Sequence, residues 1–268
     1  MLARITKRRL FPALGVAATA CAALTMLPAS SATATDLHGP QHAAQRLAGI
    51  RFGHNIGGPA RLAHPVKSAL AAPGYNINGY NWSGAVTTGS GFSSVSSSWT
   101  EPYVTCNSSN DLMAPWVGID GYGSSSVEQT GVATDCSTGS AEYAGWYEMY
   151  PAAPVYYNNP VAAGDRITAT VNRSGTTYTL VLTDNTRGWS QTTRGNYNGA
   201  NASAEVIIES PTGSYPRFGS VNFSGSTVDG SSLGAYSPEL LDASNSYGYE
   251  DHTSAVSGGS FSISYLAE

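Results

Sequence analysis

Two glutamates four residues apart, Glu205 and Glu209, are the most informative pair of chemical groups in the sequence. Side chains of a strand alternate between its faces, so both carboxyls share one face with Ile207, and the flanking apolar residues form the other. Acidic groups in this pattern indicate either a solvated face or acid–base chemistry. Four residues of strand span about 13 Å, whereas a glycosidase pair needs carboxyl groups about 5–9.5 Å apart. The two glutamates alone therefore cannot form such a pair.

Three other short segments combine polar and aromatic side chains: residues 116–121 (WVGIDG), 127–132 (VEQTGV) and 146–151 (WYEMYP). Their carboxyls and carboxamide could take part in hydrolysis. Their aromatic side chains could line a cleft, although ordinary core packing would explain them equally well. The candidate site residues that these segments add are Trp116, Asp120, Gln129, Trp146, Glu148 and Tyr150.

The remaining residues exclude several classes of enzyme. Beyond residue 76 the chain contains no lysine and a single histidine, His252. A Ser-His-Asp triad would need that histidine, and no G-x-S-x-G segment accompanies it. Zinc hydrolases usually need at least two histidines, and Schiff-base chemistry needs a lysine. An enzyme built from this part of the chain would use carboxylates, amides and aromatic groups, with no metal and no cofactor.

Charge is distributed unevenly along the 268 residues. Residues 35–76 hold four fixed bases, four of the five histidines and one acid. Beyond residue 76, five arginines stand against 17 acidic residues, a net charge of −12. An acidic body of this kind excludes a generally basic nucleic-acid binder and is typical of a protein that works at low pH.

The first 76 residues are predicted to be removed in two steps. Residues 1–34 have a basic start, an apolar run and an A-x-A pattern at Ala32 and Ala34, which predicts a secretory signal peptide and an extracellular, membrane-free product. Residues 35–76 are predicted to form a pro-peptide that docks on the acidic body as an inhibitor. Acid would release it by neutralising carboxylates and charging histidines. A flexible linker is the alternative interpretation of this segment.

Residues 77–268 are predicted to form one all-β domain. Apolar residues alternate with polar ones on both sides of the Ser174-Gly175 turn, which predicts a hairpin over residues 167–183. Residues 94–99, 116–119, 204–209 and 261–265 show further strand patterns, and no long stretch has helical periodicity. Short strands separated by Gly, Ser, Asn and Pro favour a two-sheet antiparallel β-sandwich of the concanavalin A-like or jelly-roll type.

Two cysteines, Cys106 and Cys136, remain after the predicted signal peptide. An even pair in an exported protein predicts a disulfide. A free or metal-binding pair is the alternative, and no Cys-x-x-Cys or histidine cluster supports it. Closure of a loop of about 30 residues would stabilise the fold by roughly 3–4 kcal/mol.

In order along the chain, the blocks NWSGAV (81–86), WVGIDG, QTGV, WYEMYP and AEVIIESP (204–211) resemble the glutamic peptidases, or eqolisins. Each block is weak alone, but the ordered set is specific and covers most of the body. The resemblance implies a β-sandwich and a pepstatin-insensitive acid endopeptidase that cleaves proteins or peptides. It also implies a catalytic pair, Gln129 and Glu209, with Glu205 as the rival to Glu209.

The resemblance assigns supporting roles to the other candidates. Glu148 and Asp120 would orient the pair, and Trp116, Trp146 and Tyr150 would line the cleft. The chain departs from the family pattern at Ala144, where fungal relatives often have an acid, and at Met149, where they often have tryptophan. These departures bear on substrate preference rather than on the pair itself.

Two other functions remain open from the sequence. One is a noncatalytic carbohydrate-binding β-sandwich, in which tryptophan and tyrosine stack on sugars. The other is a glycosidase of the same architecture that uses Glu148 and Glu209 from separate strands. The basic segment 35–76 argues against the binding module, because such modules need no pro-peptide. The peptidase is expected to be a monomer.

Overall fold

The computed structural model describes residues 74–266 as two β-sheets with one 3-10 turn, Leu233–Tyr236. The predicted signal peptide and nearly all of the predicted pro-peptide lie outside the described residues. In chain order the strands are β1 (Ile77–Tyr80), β2 (Trp82–Thr88), β3 (Ser94–Thr100), β4 (Leu112–Ile119), β5 (Val127–Asp135), β6 (Glu142–Tyr150), β7 (Val155–Pro160), β8 (Arg166–Ser174), β9 (Thr177–Asp184), β10 (Trp189–Asn196), β11 (Ser203–Glu209), β12 (Ser220–Val228), β13 (Ser231–Ser232), β14 (Glu239–Asn245), β15 (Gly248–Tyr249), β16 (Asp251–Thr253) and β17 (Phe261–Tyr265).

The predicted sandwich is confirmed, and its strand order brings distant segments together. The first sheet runs β1-β14-β2-β11-β4-β5-β6-β7, with β15 paired to β14. The second sheet runs β10-β9-β8-β3-β12-β17-β16, with β13 paired to β12. Neighbouring strands are antiparallel except for β1 and β14, which are parallel. The hairpin predicted around Ser174-Gly175 forms between β8 and β9.

Two apolar clusters lie on opposite faces of the first sheet. The larger cluster fills the space between the sheets, and β11 contributes Ala204, Val206 and Ile208 to it. The smaller cluster lies on the face turned away from the second sheet and includes Ile207. The alternation predicted for β11 is therefore confirmed. Both Glu205 and Glu209 lie on the side of the smaller cluster, and both are fully buried rather than solvated.

A disulfide joins Cys106 to Cys136, as predicted from the even cysteine pair. It connects the segment before β4 to the end of β5, two strands that are neighbours in the first sheet. No helix among residues 74–266 is long and apolar enough to cross a membrane.

Candidate active site

Four strands of the first sheet place a row of polar groups on the face of the smaller cluster. In the strand register, Gln129 on β5 pairs with Glu148 on β6 and with Gly118 on β4. Gly118 in turn pairs with Glu205 on β11. The row thus contains a carboxyl, a glycine, a carboxamide and a second carboxyl, all of them removed from solvent.

The Gln129 amide is oriented by Glu148. Its Nε2 donates a hydrogen bond to Glu148 Oε2 at 3.0 Å, and both side chains are fully buried. Among the described residues the amide Oε1 has no hydrogen-bond partner. A primary amide carries two N–H groups, so the bond to Glu148 fixes the plane of the amide and leaves a second N–H to offer to a substrate.

The Glu209 carboxylate receives an N–H donor on each oxygen. Trp116 Nε1 donates to Oε2 at 3.2 Å, and Asn81 Nδ2 donates to Oε1 at 3.3 Å. An indole N–H can only donate, so Trp116 requires an acceptor at this position. Donors to a carboxylate favour its ionised form, which suits Glu209 to a role as a proton acceptor.

Trp116 connects the two halves of the site. Glu209 pairs with Ala114 on β4, four residues from the Gly118 that pairs with Gln129, an offset of about 13 Å along the strand. Trp116 lies between these two rows, paired with Ile207. Its Nε1 contacts Glu209, while its Cζ3 lies 2.9 Å from the position that a Cβ on Gly118 would occupy. Glycine at 118 is therefore what lets the ring approach the Gln129 row.

Two more tryptophans hold Trp116 in place. Trp82 packs edge-on against it, with ring centroids 5.1 Å apart. In the next row of the sheet, Trp116 pairs with Gly131, and Gly131 pairs with Trp146. Tyr150 is half-buried and packs against this cluster from the end of β6. The three aromatic residues predicted to line a cleft therefore lie in or against the smaller cluster, on the face of the sheet that carries Gln129 and Glu209.

Asp120 anchors the loop that leads into β11. It follows β4 with a φ of 68° and accepts N–H groups from Asn201 at 2.7 Å and Ala202 at 2.8 Å. Its carboxylate therefore fixes the loop that leads into β11 and does not bond directly to Gln129 or Glu209 among the described residues. Asp120 helps to position the site only through β11.

Glu205 lies in a pocket of carboxyl groups. Burial, and then the nearby charges of Asp120 and Glu128, raise the pKa of Glu205 well above its usual range. Burial and Asp120 also raise the pKa of Glu128 to about 8. At acid pH Glu205 is therefore neutral and cannot take a proton from water. In the strand register it is Glu205, not Glu209, that lies in line with Gln129.

Sequence reasoning missed Asn81 and Glu128 as members of the site. Asn81 stands at the start of the NWSGAV block, and its place in that block was the only available signal. Glu128 faces the larger cluster from β5, one residue from Gln129, and its effect on Glu205 depends on contacts that the sequence does not show. Within residues 74–266 no group of three or more His, Cys, Asp or Glu side chains could hold a metal ion.

Comparisons with known proteins identify the family of this chain. The model of the Peptidase A4 family matches residues 80–265. Aspergillopepsin-2 from Aspergillus niger is 30% identical over 219 residues, covering 69% of this chain and 77% of its own. Scytalido-glutamic peptidase, solved with a transition state analog inhibitor, superposes with a TM-score of 0.62 at 27% identity, covering 70% of this chain and 98% of its own.

SCP-B, a member of the eqolisin family solved with the tripeptide Ala-Ile-His, superposes with a TM-score of 0.58 at 26% identity, covering 70% of this chain and 98% of its own. The β-sandwich, the buried polar groups and these relatives together define a peptide hydrolase. The chain belongs to the Peptidase A4 family, the glutamic peptidases or eqolisins. The resemblance seen in the sequence is confirmed.

Proposed function

We propose that this protein is a secreted, pepstatin-insensitive acid endopeptidase in which Glu209 activates water and Gln129 stabilises the oxyanion. The observation that carries the proposal is the pair of N–H donors on Glu209, supplied by Trp116 and Asn81. These donors orient the buried Glu209 carboxylate. The Gln129 carboxamide, oriented by Glu148, lies on the same face of the first sheet.

The proposed reaction uses Glu209 twice. The carboxylate removes a proton from water while the water oxygen attacks the peptide carbonyl carbon. Glu209 then returns that proton to the amide nitrogen as the C–N bond breaks. A free glutamate has a pKa near 4.3, so donors that favour the ionised form keep this base available in mild acid.

Gln129 supplies the donor for the tetrahedral intermediate. Its N–H cannot titrate, so it can stabilise the oxyanion at any pH at which the fold persists. Glu148 accepts the other N–H of the amide and so fixes its orientation. Removal of one such donor typically lowers the rate about 10²- to 10³-fold.

Digestion of a protein such as casein at pH 3–4, with and without pepstatin, tests the proposed activity. Cleavage is expected in both samples, because one carboxylate and one carboxamide replace the two aspartates of pepstatin-sensitive enzymes. No cleavage together with sugar binding would favour the carbohydrate module. Hydrolysis of a glycoside but not of protein would favour the glycosidase that uses Glu148 and Glu209.

The proposal includes an inhibitory leader. Residues 35–76, with their excess of positive charge, are complementary to the body of the protein, which has a net charge of −12 beyond residue 76. The described chain begins at Gly74 and enters this same sheet through β1. Both facts support docking of the leader on the first sheet.

We expect maturation to cut the chain just before Tyr75, slightly earlier than the boundary after residue 76 that the sequence predicts. Asn76 is part of the fold: its backbone N and its Nδ2 donate to Asp242 at 2.8 and 2.9 Å. Tyr75 stacks on Tyr249 with ring centroids 4.1 Å apart. Loss of these contacts would release β1, so a cut beyond Asn76 would destabilise the enzyme.

Amino-terminal sequencing after incubation at pH 3–4 measures the site of cleavage. We expect a new terminus at or just before Tyr75, appearing together with activity. The same incubation at pH 7 is the control and should leave the leader attached. A fully active species that still begins near residue 35 would contradict the proposal.

A further inference from the structure

We propose that Asn81 is a positioning residue that holds the Glu209 carboxylate in the orientation and the ionised form that water activation requires. The inference rests on the proposed function. It assigns a role to a side chain outside the predicted catalytic pair and its predicted supports.

The backbone at Asn81 is fixed on both sides. Asn81 is the single residue between β1 and β2, and the Tyr80 before it adopts a φ of 60°. The Asn81 carbonyl accepts Ser210 N at 3.0 Å and Tyr215 Oη at 2.7 Å. These two bonds tie the residue to the chain immediately after Glu209, so the position of Asn81 relative to that carboxylate is determined by the sheet.

The side chain of Asn81 completes the support of Glu209. It is 2% exposed, and its Nδ2 lies 3.3 Å from Oε1, opposite the Trp116 contact on Oε2. Each carboxylate oxygen can accept more than one hydrogen bond. The Asn81 and Trp116 donors, one to each oxygen, therefore fix the orientation of the carboxylate.

An amide suits this position in an enzyme that works in acid. It donates without carrying a charge and does not titrate, so the contact persists across the working range of pH. An aspartate of nearly the same shape would instead place a second carboxyl beside Glu209. Two adjacent carboxyls titrate as a coupled pair, because their negative charges repel.

The test is the pH dependence of kcat and KM for Asn81→Ala and Asn81→Asp. Asn81→Ala is expected to lower kcat about ten- to hundredfold, the usual cost of losing a hydrogen bond to a charged group, with little change in KM. The acidic limb of the kcat profile should move to higher pH in Asn81→Ala and further in Asn81→Asp, which is nearly isosteric and preserves packing.

Asn78→Ala is the matched control for local loosening of the amino-terminal strand. Its side-chain Oδ1 accepts Tyr80 N and Ser244 Oγ, both at 2.8 Å. We expect this variant to lower the melting temperature while the acidic limb stays in place. Melting curves of both Asn81 variants establish that they are folded under the assay conditions.

Two results would overturn the inference. One is a wild-type profile in both Asn81 variants, and the other is a fall in kcat with no movement of the acidic limb, which would indicate a purely structural role. Glu209→Gln is measured beside them. An inactive Glu209→Gln with unaffected Asn81 variants removes this inference alone, whereas an active Glu209→Gln removes the proposed function itself.

Discussion

Glu209→Gln is expected to abolish peptide hydrolysis, lowering kcat roughly 10⁴-fold or more, because it removes the group that both accepts and returns the proton. The glutamine oxygen can still accept one of the two N–H donors, from Trp116 or Asn81, so the fold should be retained. Turnover of a protein substrate at pH 3–4, with a melting curve for each variant, measures both effects.

Glu205→Gln is the matched control on the same strand and the same face. Glu205 is neutral at acid pH, since burial and its carboxyl neighbours raise its pKa. An amide in its place therefore changes little, and we expect substantial activity. An inactive Glu205→Gln beside an active Glu209→Gln would instead identify Glu205, which is aligned with Gln129, as the base. Activity in both variants would exclude the glutamic-peptidase mechanism for this chain.

The free energy of unfolding is expected to fall as the pH rises from about 5 to 8. Burial raises the pKa of three carboxyls to about 8, those of Glu101, Glu128 and Asp251, and also raises that of Glu205 well above its usual range. In the unfolded chain these groups lose their protons near pH 4. Between the two values the folded state binds more protons, so each group contributes stability that is complete below pH 4 and is lost as the pH rises through 8.

The expected slope is up to about 1.4 kcal/mol per pH unit for each such group. Asp111 and Asp229 act in the opposite sense, because hydrogen bonds from their neighbours outweigh burial and lower their pKa values. Their contribution is lost only below about pH 4. Urea unfolding followed at pH 4, 6 and 8 should therefore give the highest free energy of unfolding at pH 4 and a lower value at each higher pH.

Glu101→Gln isolates one of these groups. Glu101 accepts hydrogen bonds from Trp99 Nε1 at 2.8 Å and from Thr134 Oγ1 at 3.2 Å. It has no part in the proposed catalytic mechanism. The variant cannot titrate at this position, so its loss of stability between pH 5 and 8 should be shallower than that of the wild type. A free energy of unfolding that rises with pH over this range would contradict the assignment of these buried carboxyls.

Local alternation predicted the elements of the fold well, because it depends only on neighbouring residues. The hairpin of β8 and β9 and the two faces of β11 could be derived in this way. The pairing of β11 with β2 and β4 could not, since these segments lie about 90 or more residues apart in the chain. That pairing decides which side chains share a row.

The same limit applies to the site. The resemblance favoured Glu209 and kept Glu205 as its rival. The sequence could not show that burial and the nearby Asp120 and Glu128 raise the pKa of Glu205, because this depends on contacts between strands. The sequence did not indicate Asn81 as part of the site, because an asparagine side chain does not titrate. Its contact with Glu209 exists only after β2 has paired with β11.

The burial of Asn81 also bears on how the enzyme should be produced. Asn81, Trp82 and Ser83 form an N-x-S acceptor for N-linked glycans, and secretory pathways that glycosylate proteins can modify such sequences before the chain has folded. A sugar on a side chain that is 2% exposed has no room in the finished sheet. Modified chains would be unable to close β2 onto β11, so a host without N-glycosylation is the appropriate source of active protein.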